Sequence, residues 1–172
     1  MSREIDGLLV RIATGDNVAF EKLYERTRRG VFAFLHTYLH NYADAEDAMQ
    51  TVYLKVKTGI GGYKAGTNGR AWLLQIAKNH ALTLLRDRKP AVSIDETPAL
   101  SYEQAEFSGG GVTECMDRVL SDEEKRIVVL HVLWRYKHRE IAKILALPTG
   151  TVTSKYKRAI EKLKKALKEE EK

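Results

Sequence analysis

The sequence has a single cysteine, Cys115, so no intrachain disulfide can form, and a reducing compartment suits the chain. It has no apolar run near the roughly 18 residues that a membrane helix requires. Its first residues include acids and lack the pattern of a signal peptide. These absences predict a cytoplasmic protein without membrane insertion, in which Cys115 is a buried or incidental residue and not a catalytic thiol.

Strand signals and catalytic motifs are also missing. No segment shows the alternation or the β-branched clustering of a sheet, so we predict an all-α protein. There is no phosphate-binding glycine loop and no nucleophile triad. His36 and His40 are four residues apart, as in some zinc sites, but no HExxH motif or cysteine partner accompanies them. We therefore predict no enzyme activity, no metal and no cofactor.

Charge divides the chain into three blocks. The formal net charge is +6, which suits a polyanionic partner. Residues 1–90 carry a net charge of +5 and residues 115–172 a net charge of +6, whereas residues 91–114 contain five acids and no base. The middle block also has weak periodicity and three successive glycines. We predict two small helical domains, 1–90 and 115–172, joined by a flexible acidic linker at 91–114.

The stretch 120–167 contains three successive helical patterns with short breaks. In the last pattern, apolar residues recur at steps of three or four, at Val152, Tyr156, Ile160, Leu163 and Leu167. Small polar and basic residues lie off this stripe near the start of the helix; they are Thr153, Ser154, Lys157 and Arg158. This arrangement predicts a helix-turn-helix, whose N-terminal recognition residues read base edges in the major groove. A plain helical hairpin with a solvated basic face is the alternative.

The first domain offers two polar helix faces and a loop. The third helical pattern has one face made of Asp47, Gln50, Thr51 and Leu54. The fourth has a polar and basic face made of Lys78, Asn79, Thr83 and Arg86. Between them, the segment 58–69 contains five glycines, which predict a loop without regular helix. Tyr63 in this loop, next to Lys64, either stacks on an unpaired base or folds back onto the core.

Several motifs follow one another in order. The first domain contains Asp44-Ala45-Glu46-Asp47 with Gln50 and Tyr53, then Arg70-Ala71-Trp72-Leu73-Leu74, Ile76-Ala77-Lys78-Asn79 and Asp87-Arg88. The second contains Glu140-Ile141-Ala142, Ile144-Leu145, and Pro148-Thr149-Gly150-Thr151-Val152 through Arg158-Ala159. Together they resemble the bacterial RNA polymerase sigma factors of the small extracytoplasmic-function (ECF) group, over about residues 7–90 and 116–168. Both modules at this spacing are highly specific.

The resemblance implies a sigma factor that directs core RNA polymerase to specific promoters and promotes DNA melting. In this family the first domain binds the polymerase clamp helices and captures the melted minus-ten strand, and the second binds the minus-thirty-five duplex and the polymerase flap. The implied clamp-binding residues are Asp47, Gln50, Thr51 and Leu54. The implied minus-ten residues are Tyr63, Lys64, Lys78, Asn79 and Arg86. The implied minus-thirty-five readers are Thr153, Ser154, Lys157 and Arg158.

The same resemblance sets the expected partners. They are core RNA polymerase, promoter DNA as duplex and as melted strand, and an anti-sigma factor, which often holds members of this family. The alternative function is a helix-turn-helix regulator that binds DNA without replacing a sigma factor. Such a regulator accounts for the second domain but not for the motifs of the first.

Five positions depart from the family pattern. Thr51 stands where an acid is usual, Lys57 where an aromatic is usual, and Gly69 where Phe or a similar residue is usual. Lys137 takes the place of the usual Ser or Thr cap. Ala146 takes the place of the usual turn glycine, where a Cβ costs roughly 1 kcal/mol if φ is positive.

Overall fold

The structure, a computed structural model, describes residues 2–88 and 112–170. Every regular element in these two ranges is helical, which confirms the all-α prediction. The helices form two compact units, one within Met1–Ser93 and the other within Ile94–Lys172. Most of the predicted acidic linker, 91–111, lies outside the described residues, whereas its last three residues, 112–114, already belong to a helix.

The first unit contains four helices, α1 (Ser2–Ala13), α2 (Asn17–Leu39), α3 (Tyr42–Gly59) and α4 (Gly69–Asp87). α2 packs against each of the other three and forms the centre of the unit. Apolar side chains of α2 pack against apolar side chains of the other three helices. The fully buried residues of this shared core include Leu9, Leu23, Phe34, Leu35, Met49 and Leu73. Each such side chain contributes about 1.5–3 kcal/mol through burial, so this contact defines the unit.

Side-chain caps set the helix starts in this unit. The carboxylate of Asp16 accepts from the Ala19 amide at 2.9 Å, and the amide oxygen of Asn41 accepts from the Asp44 amide at 3.0 Å. Each bond satisfies a backbone donor that the first turn of a helix leaves unpaired. The sequence predicts breaks at Thr14-Gly15 and at His40-Asn41-Tyr42, and α2 and α3 begin at these breaks.

Two expectations about this unit were wrong. The glycine-rich segment is not free of helix at its start, because α3 continues to Gly59 and a 3-10 helix follows at Ile60–Gly62. The second concerns α4, where helical spacing predicts a buried stripe made of Trp72, Leu73, Ile76, Ala77, Leu84 and Leu85. In the structure Leu85 is exposed, and Leu74 and Ala81 are buried instead. α4 contacts α1, α2 and α3 together, so its buried face is wider than a single stripe.

The second unit contains α5 (Val112–Val119), α6 (Asp122–Val132), α7 (His138–Leu145) and α8 (Thr149–Glu170). α8 packs against the other three helices. Its buried positions are Val152, Ala159, Leu163 and Ala166, whereas Tyr156, Ile160 and Leu167 of the predicted stripe are only half-buried. The small alanines allow α5 and α6 to approach, and Cys115 is buried against this side, as expected of a packing residue.

No helix in the described parts of the chain has the length and apolar character needed to cross a membrane. Within the same ranges, no three His, Cys, Asp or Glu side chains come together as a metal site would require.

Candidate polymerase and nucleic-acid interfaces

The outward face of α3 is the first candidate surface. Asp47, Gln50 and Leu54 are exposed, and Leu54 leaves 64% of its surface accessible. Thr51 is half-buried, and its hydroxyl donates to the Asp47 carbonyl at 3.1 Å within the helix. A carboxylate, an amide and a large apolar side chain thus lie side by side at helical spacing. Three of the four predicted clamp-binding residues are exposed to solvent, and Thr51 is less exposed.

A second candidate surface runs along α4. Trp72, Asn79 and Arg86 are seven residues apart and therefore share one face, with about 10 Å of helix between successive members. Asn79 is exposed and its side-chain oxygen accepts from Gln75 at 2.7 Å, while exposed Arg86 pairs with its neighbour Asp87 at 3.0 Å. Such exposed pairs contribute little and exchange easily for other partners. Lys78, the remaining predicted residue on this helix, is half-buried.

Tyr63 meets this face at its N-terminal end. Its ring lies 5.2 Å from the ring of Trp72, and its hydroxyl donates to Asp6 on α1. Burial, and then the hydrogen bond to Asp6, raise the pKa of Tyr63 above its ordinary value. Tyr63 thus packs back onto the first unit while it stays half-exposed, and the adjacent Lys64 is exposed. Its predicted contact with an unpaired base stays a prediction.

The N-terminal half of α8 is the third candidate surface. Thr153, Ser154, Lys157 and Arg158 are all exposed. The Thr153 hydroxyl donates to the Thr149 carbonyl at 3.0 Å, and the Ser154 hydroxyl donates to the Thr151 carbonyl at 3.0 Å. These bonds use the hydroxyl protons and leave the oxygens as acceptors, while the lysine and arginine supply donors. One turn of helix therefore offers both hydrogen-bonding types and positive charge to a duplex.

Ion pairs anchor α8 to α6. Lys155 binds Glu123 at 2.6 Å, and Lys162 binds buried Glu124 at 2.8 Å. Burial alone would raise the pKa of Glu124, but hydrogen bonds from Lys162 and from Ser121 outweigh it and lower the pKa. Ser121 and Glu124 have the spacing that predicts a capping box, and their side chains form one at the start of α6. Glu124 thereby connects the start of α6 to the middle of α8.

Three rings fix the approach of α7 to α8. His131, His138 and Tyr156 lie with ring centroids 4.5–5.0 Å apart. His138 also shares a hydrogen bond with Thr153 at 3.1 Å between Nδ1 and Oγ1. Burial, and then the charge of His131, lower the pKa of His138. A neutral imidazole therefore buttresses a predicted base-reading residue, a contact that helical periodicity in the sequence did not reveal.

The backbone explains the residue preference at two of the departures, Gly69 and Ala146. Gly69 is buried against α1, where a Cβ would lie 2.9 Å from Leu9 Cδ1 and 3.1 Å from the Asp6 backbone nitrogen, so a larger residue requires the Leu9 side chain and α1 to shift. Ala146 has φ 55° and ψ 44°, the left-handed conformation that the turn demands. Because φ is positive, the Cβ of Ala146 carries the strain that a glycine at this position would avoid.

Two further departures, Lys137 and Lys57, are compensated by neighbours. Lys137 offers no acceptor as a cap, but its own amide donates to the Glu140 carboxylate at 2.7 Å. The Lys57 ammonium lies 5.5 Å from the ring centroid of Phe20, where it covers the aromatic face. Glu140 thus replaces the side-chain cap at the start of α7, and Lys57 keeps a contact with an aromatic ring although it is not aromatic itself.

The sequence pattern does not reveal two long-range contacts. The apolar spacing of Ile5, Leu8, Leu9 and Ile12 predicts a short amphipathic helix but no partner for Asp6, which binds the glycine-rich loop. The sequence also predicts that Arg88 extends the basic face of α4, yet Arg88 pairs with Asp44 at the start of α3 and donates to the Leu39 carbonyl at 3.5 Å. No local signal marks either contact, because the partners are 57 and 44 positions apart.

Two known protein families match this chain, one in each of the two units. Residues 23–90 match Sigma-70 region 2, and residues 114–163 match Sigma-70 region 4. Together the two matches take in well over half of the chain. The chain belongs to the sigma-70 family. The family expected from the motifs is therefore confirmed.

Its relatives include ECF RNA polymerase sigma factors named SigK. That of Mycobacterium tuberculosis is 25% identical over 179 aligned positions, which cover 97% of this chain and 95% of the relative. That of Mycolicibacterium vanbaalenii is 26% identical, with 97% and 91% covered. That of Mycobacterium sp. strain KMS is 30% identical over 135 positions, with 74% and 65% covered.

Solved structures share the fold. CnrH, determined in complex with the cytosolic domain of CnrY, has a TM-score of 0.64 and 21% identity, with 96% of this chain and 97% of that chain covered. The sigma factor RpoE of Bartonella quintana, in complex with the anti-sigma factor NepR, has a TM-score of 0.60 and 19% identity, with 87% and 96% covered.

Proposed function

We propose that this sigma-70 family member is an ECF sigma factor that directs core RNA polymerase to specific promoters and promotes the melting of their DNA. The observation that carries the proposal is the presence of region 2 and region 4 in one chain, in that order. A factor of this kind positions the polymerase and performs no bond chemistry itself. It works where core polymerase is, so we expect it in the cytoplasm.

Each candidate surface receives one role in the proposal. The α3 face with Asp47, Gln50, Thr51 and Leu54 binds the polymerase clamp. The loop and α4 surface binds the melted minus-ten strand through Tyr63, Lys64, Lys78, Asn79 and Arg86. The exposed turn of α8 with Thr153, Ser154, Lys157 and Arg158 reads the minus-thirty-five duplex. The exposure of most of these side chains supports the assignment, because none of these surfaces would function if it were covered within its own unit.

An anti-sigma factor is the proposed regulatory partner. The support is that RpoE, which shares the fold, was crystallised with an anti-sigma factor. A co-purification from the native cell, followed by a competition assay with core polymerase, would test whether such a protein exists for this chain.

DNase footprinting separates the proposal from the regulator alternative. Promoter fragments selected from the source genome are probed with the chain alone, with core polymerase alone and with both. We expect protection only when both are present, since the first unit needs the polymerase to engage DNA. Tight and specific protection by the chain alone would favour a regulator that acts without replacing a sigma factor.

Binding to duplex and to premelted templates separates the two DNA roles. Arg158→Ala should weaken closed-complex binding by about 1–3 kcal/mol, the value of one base-reading contact. Asn79→Ala should bind duplex promoter almost normally, fail at opening, and recover partly on a template with a minus-ten bubble. Lys164→Ala, an exposed lysine further along α8, serves as the charge control. Equal loss for Arg158→Ala and Asn79→Ala on duplex, without rescue by the bubble, would contradict one domain per promoter element.

A further inference from the structure

Asp6 of α1 holds the glycine-rich loop at two points. One carboxylate oxygen, Oδ1, accepts from the Tyr63 hydroxyl and from the Gly66 amide, the latter at 3.2 Å. Gly66 has φ +78°, a conformation that glycine adopts without strain. A half-buried side chain from the first helix therefore closes a loop that lies more than fifty residues later in the chain.

The contact determines where Tyr63 lies. The ring is held 5.2 Å from Trp72, at an interplanar angle of 58°. Trp72 begins the α4 face that continues through Asn79 and Arg86. Tyr63 is therefore placed at one end of the proposed minus-ten surface, with part of its ring open and with exposed Lys64 beside it.

The contact stabilises the part of the segment that belongs to no helix. This part is residues 63–68, between the 3-10 helix and α4, and Gly66 within it loses more conformational freedom on ordering than any other residue type would. A strand that binds an unordered loop must also supply the free energy for ordering it, which lowers its affinity. Two hydrogen bonds to one carboxylate, each charge-assisted, remove much of that cost before the strand arrives.

We infer that Asp6 is a positioning residue for the melted minus-ten strand, acting through Tyr63 and the loop backbone and not through contact with DNA. The inference rests on the proposed function. The negative charge of Asp6 agrees with an indirect role, because a carboxylate facing phosphates would repel them, whereas here its acceptor capacity is used by the Tyr63 and Gly66 donors.

Strand binding by assembled holoenzyme tests the inference. The probe is a labelled single-stranded minus-ten oligonucleotide, measured against holoenzymes carrying Asp6→Ala, Asp6→Asn, Tyr63→Phe, or Asp6→Ala with Tyr63→Phe. Asp6→Ala should lower strand affinity about tenfold, the scale of one charge-assisted hydrogen bond. Asp6→Asn keeps an acceptor oxygen and should recover most of that loss. The double variant should lose little more than Asp6→Ala alone, because both changes break the same bond.

A matched control removes another acid from α1. Glu4 lies two residues before Asp6 and pairs with Arg26 of α2. Glu4→Ala should leave strand binding unchanged, and all variants should keep their affinity for core polymerase and for the minus-thirty-five duplex. A general loss in the three assays would mean that Asp6 merely stabilises the fold, and would overturn the inference.

Carbon-13 NMR of tyrosine-labelled chain reports the contact independently of DNA. The Tyr63 signal is assigned from its absence in Tyr63→Phe. Asp6→Asn should lower the pKa of Tyr63, because it removes a charge that opposes ionisation. An unchanged Tyr63 titration would overturn the inference by removing the contact in solution.

The combined outcomes separate this inference from the proposed function. If the parent holoenzyme fails to bind the minus-ten strand, the proposed function is wrong and the positioning role falls with it, whatever NMR shows about the contact. If the parent binds and Asp6→Ala binds equally well, the positioning role alone is wrong. Tighter strand binding by Asp6→Ala would also overturn it, because the contact would then hold the loop in a closed form.

Discussion

Ala146→Gly should stabilise the second unit by about 1 kcal/mol. The residue has φ 55° and ψ 44°, and a Cβ in that region costs about 1–2 kcal/mol. Glycine removes this strain but gives the unfolded chain more freedom, which costs about 0.4–1 kcal/mol. The amides of Ala146 and Leu147 both donate to the Ala142 carbonyl, the latter at 2.9 Å, and both bonds survive the change. The net effect is therefore a gain.

Urea unfolding followed by tryptophan fluorescence measures this gain. Trp134 is buried in the second unit, so a Trp72→Phe background makes it the only reporter. Ala142→Gly is the matched control, since Ala142 is buried within α7 and should lose about 1 kcal/mol or more through helix propensity and lost packing. The same substitution should thus have opposite signs at two positions one helical turn apart. Destabilisation at both would refute the argument from backbone strain.

Three further predictions follow from single contacts. Asp47→Lys should weaken binding to core polymerase without changing thermal stability, whereas Glu21→Lys, an equal charge change on the exposed side of α2, should not; equal affinities would remove Asp47 from the interface. Gly69→Ala should destabilise the first unit by about 1–3 kcal/mol in thermal melts, because its Cβ would overlap Leu9, and an unchanged melt would contradict the close approach of α1. Because the pKa of His138 is lower in the folded state than in the unfolded state, the second unit should be most stable above about pH 6.5 and lose stability as the pH falls below it. His138→Phe should reduce this dependence of the free energy of unfolding on pH, as measured by urea titrations at several pH values. An unchanged pH dependence would assign it to another group.

Features carried by neighbouring residues could be predicted from the sequence. Asp16 and Asn41 cap α2 and α3 at the breaks between the helical patterns of the sequence. Ser121 and Glu124 form the capping box of α6 that their spacing predicts. The helix-turn-helix was also predicted, because apolar steps of three and four determine which side of a helix is buried. The sequence predicts strain at Ala146 only if its φ is positive, and no pattern in the residues themselves sets the sign of φ.

Features that depend on distant partners could not be predicted. The Asp6 contact with Tyr63 and the Asp44 pair with Arg88 join residues far apart in the chain. The glycine at position 69 was counted as a loop residue, although its role is steric, because α1 packs against it. Leu85 fits a helical stripe in the sequence yet is exposed, because the width of the buried face of α4 is decided by three neighbouring helices.

Transcription in vitro tests the central claim most directly. Core RNA polymerase is supplied with fragments of the source genome, with and without the purified chain, and transcript start sites are mapped. The account predicts new transcripts from a small set of discrete start sites only when the chain is present, and their loss when Asp47→Lys replaces the parent. Transcription by core polymerase that is unchanged by the chain, or initiation without defined start sites, would contradict its action as a sigma factor.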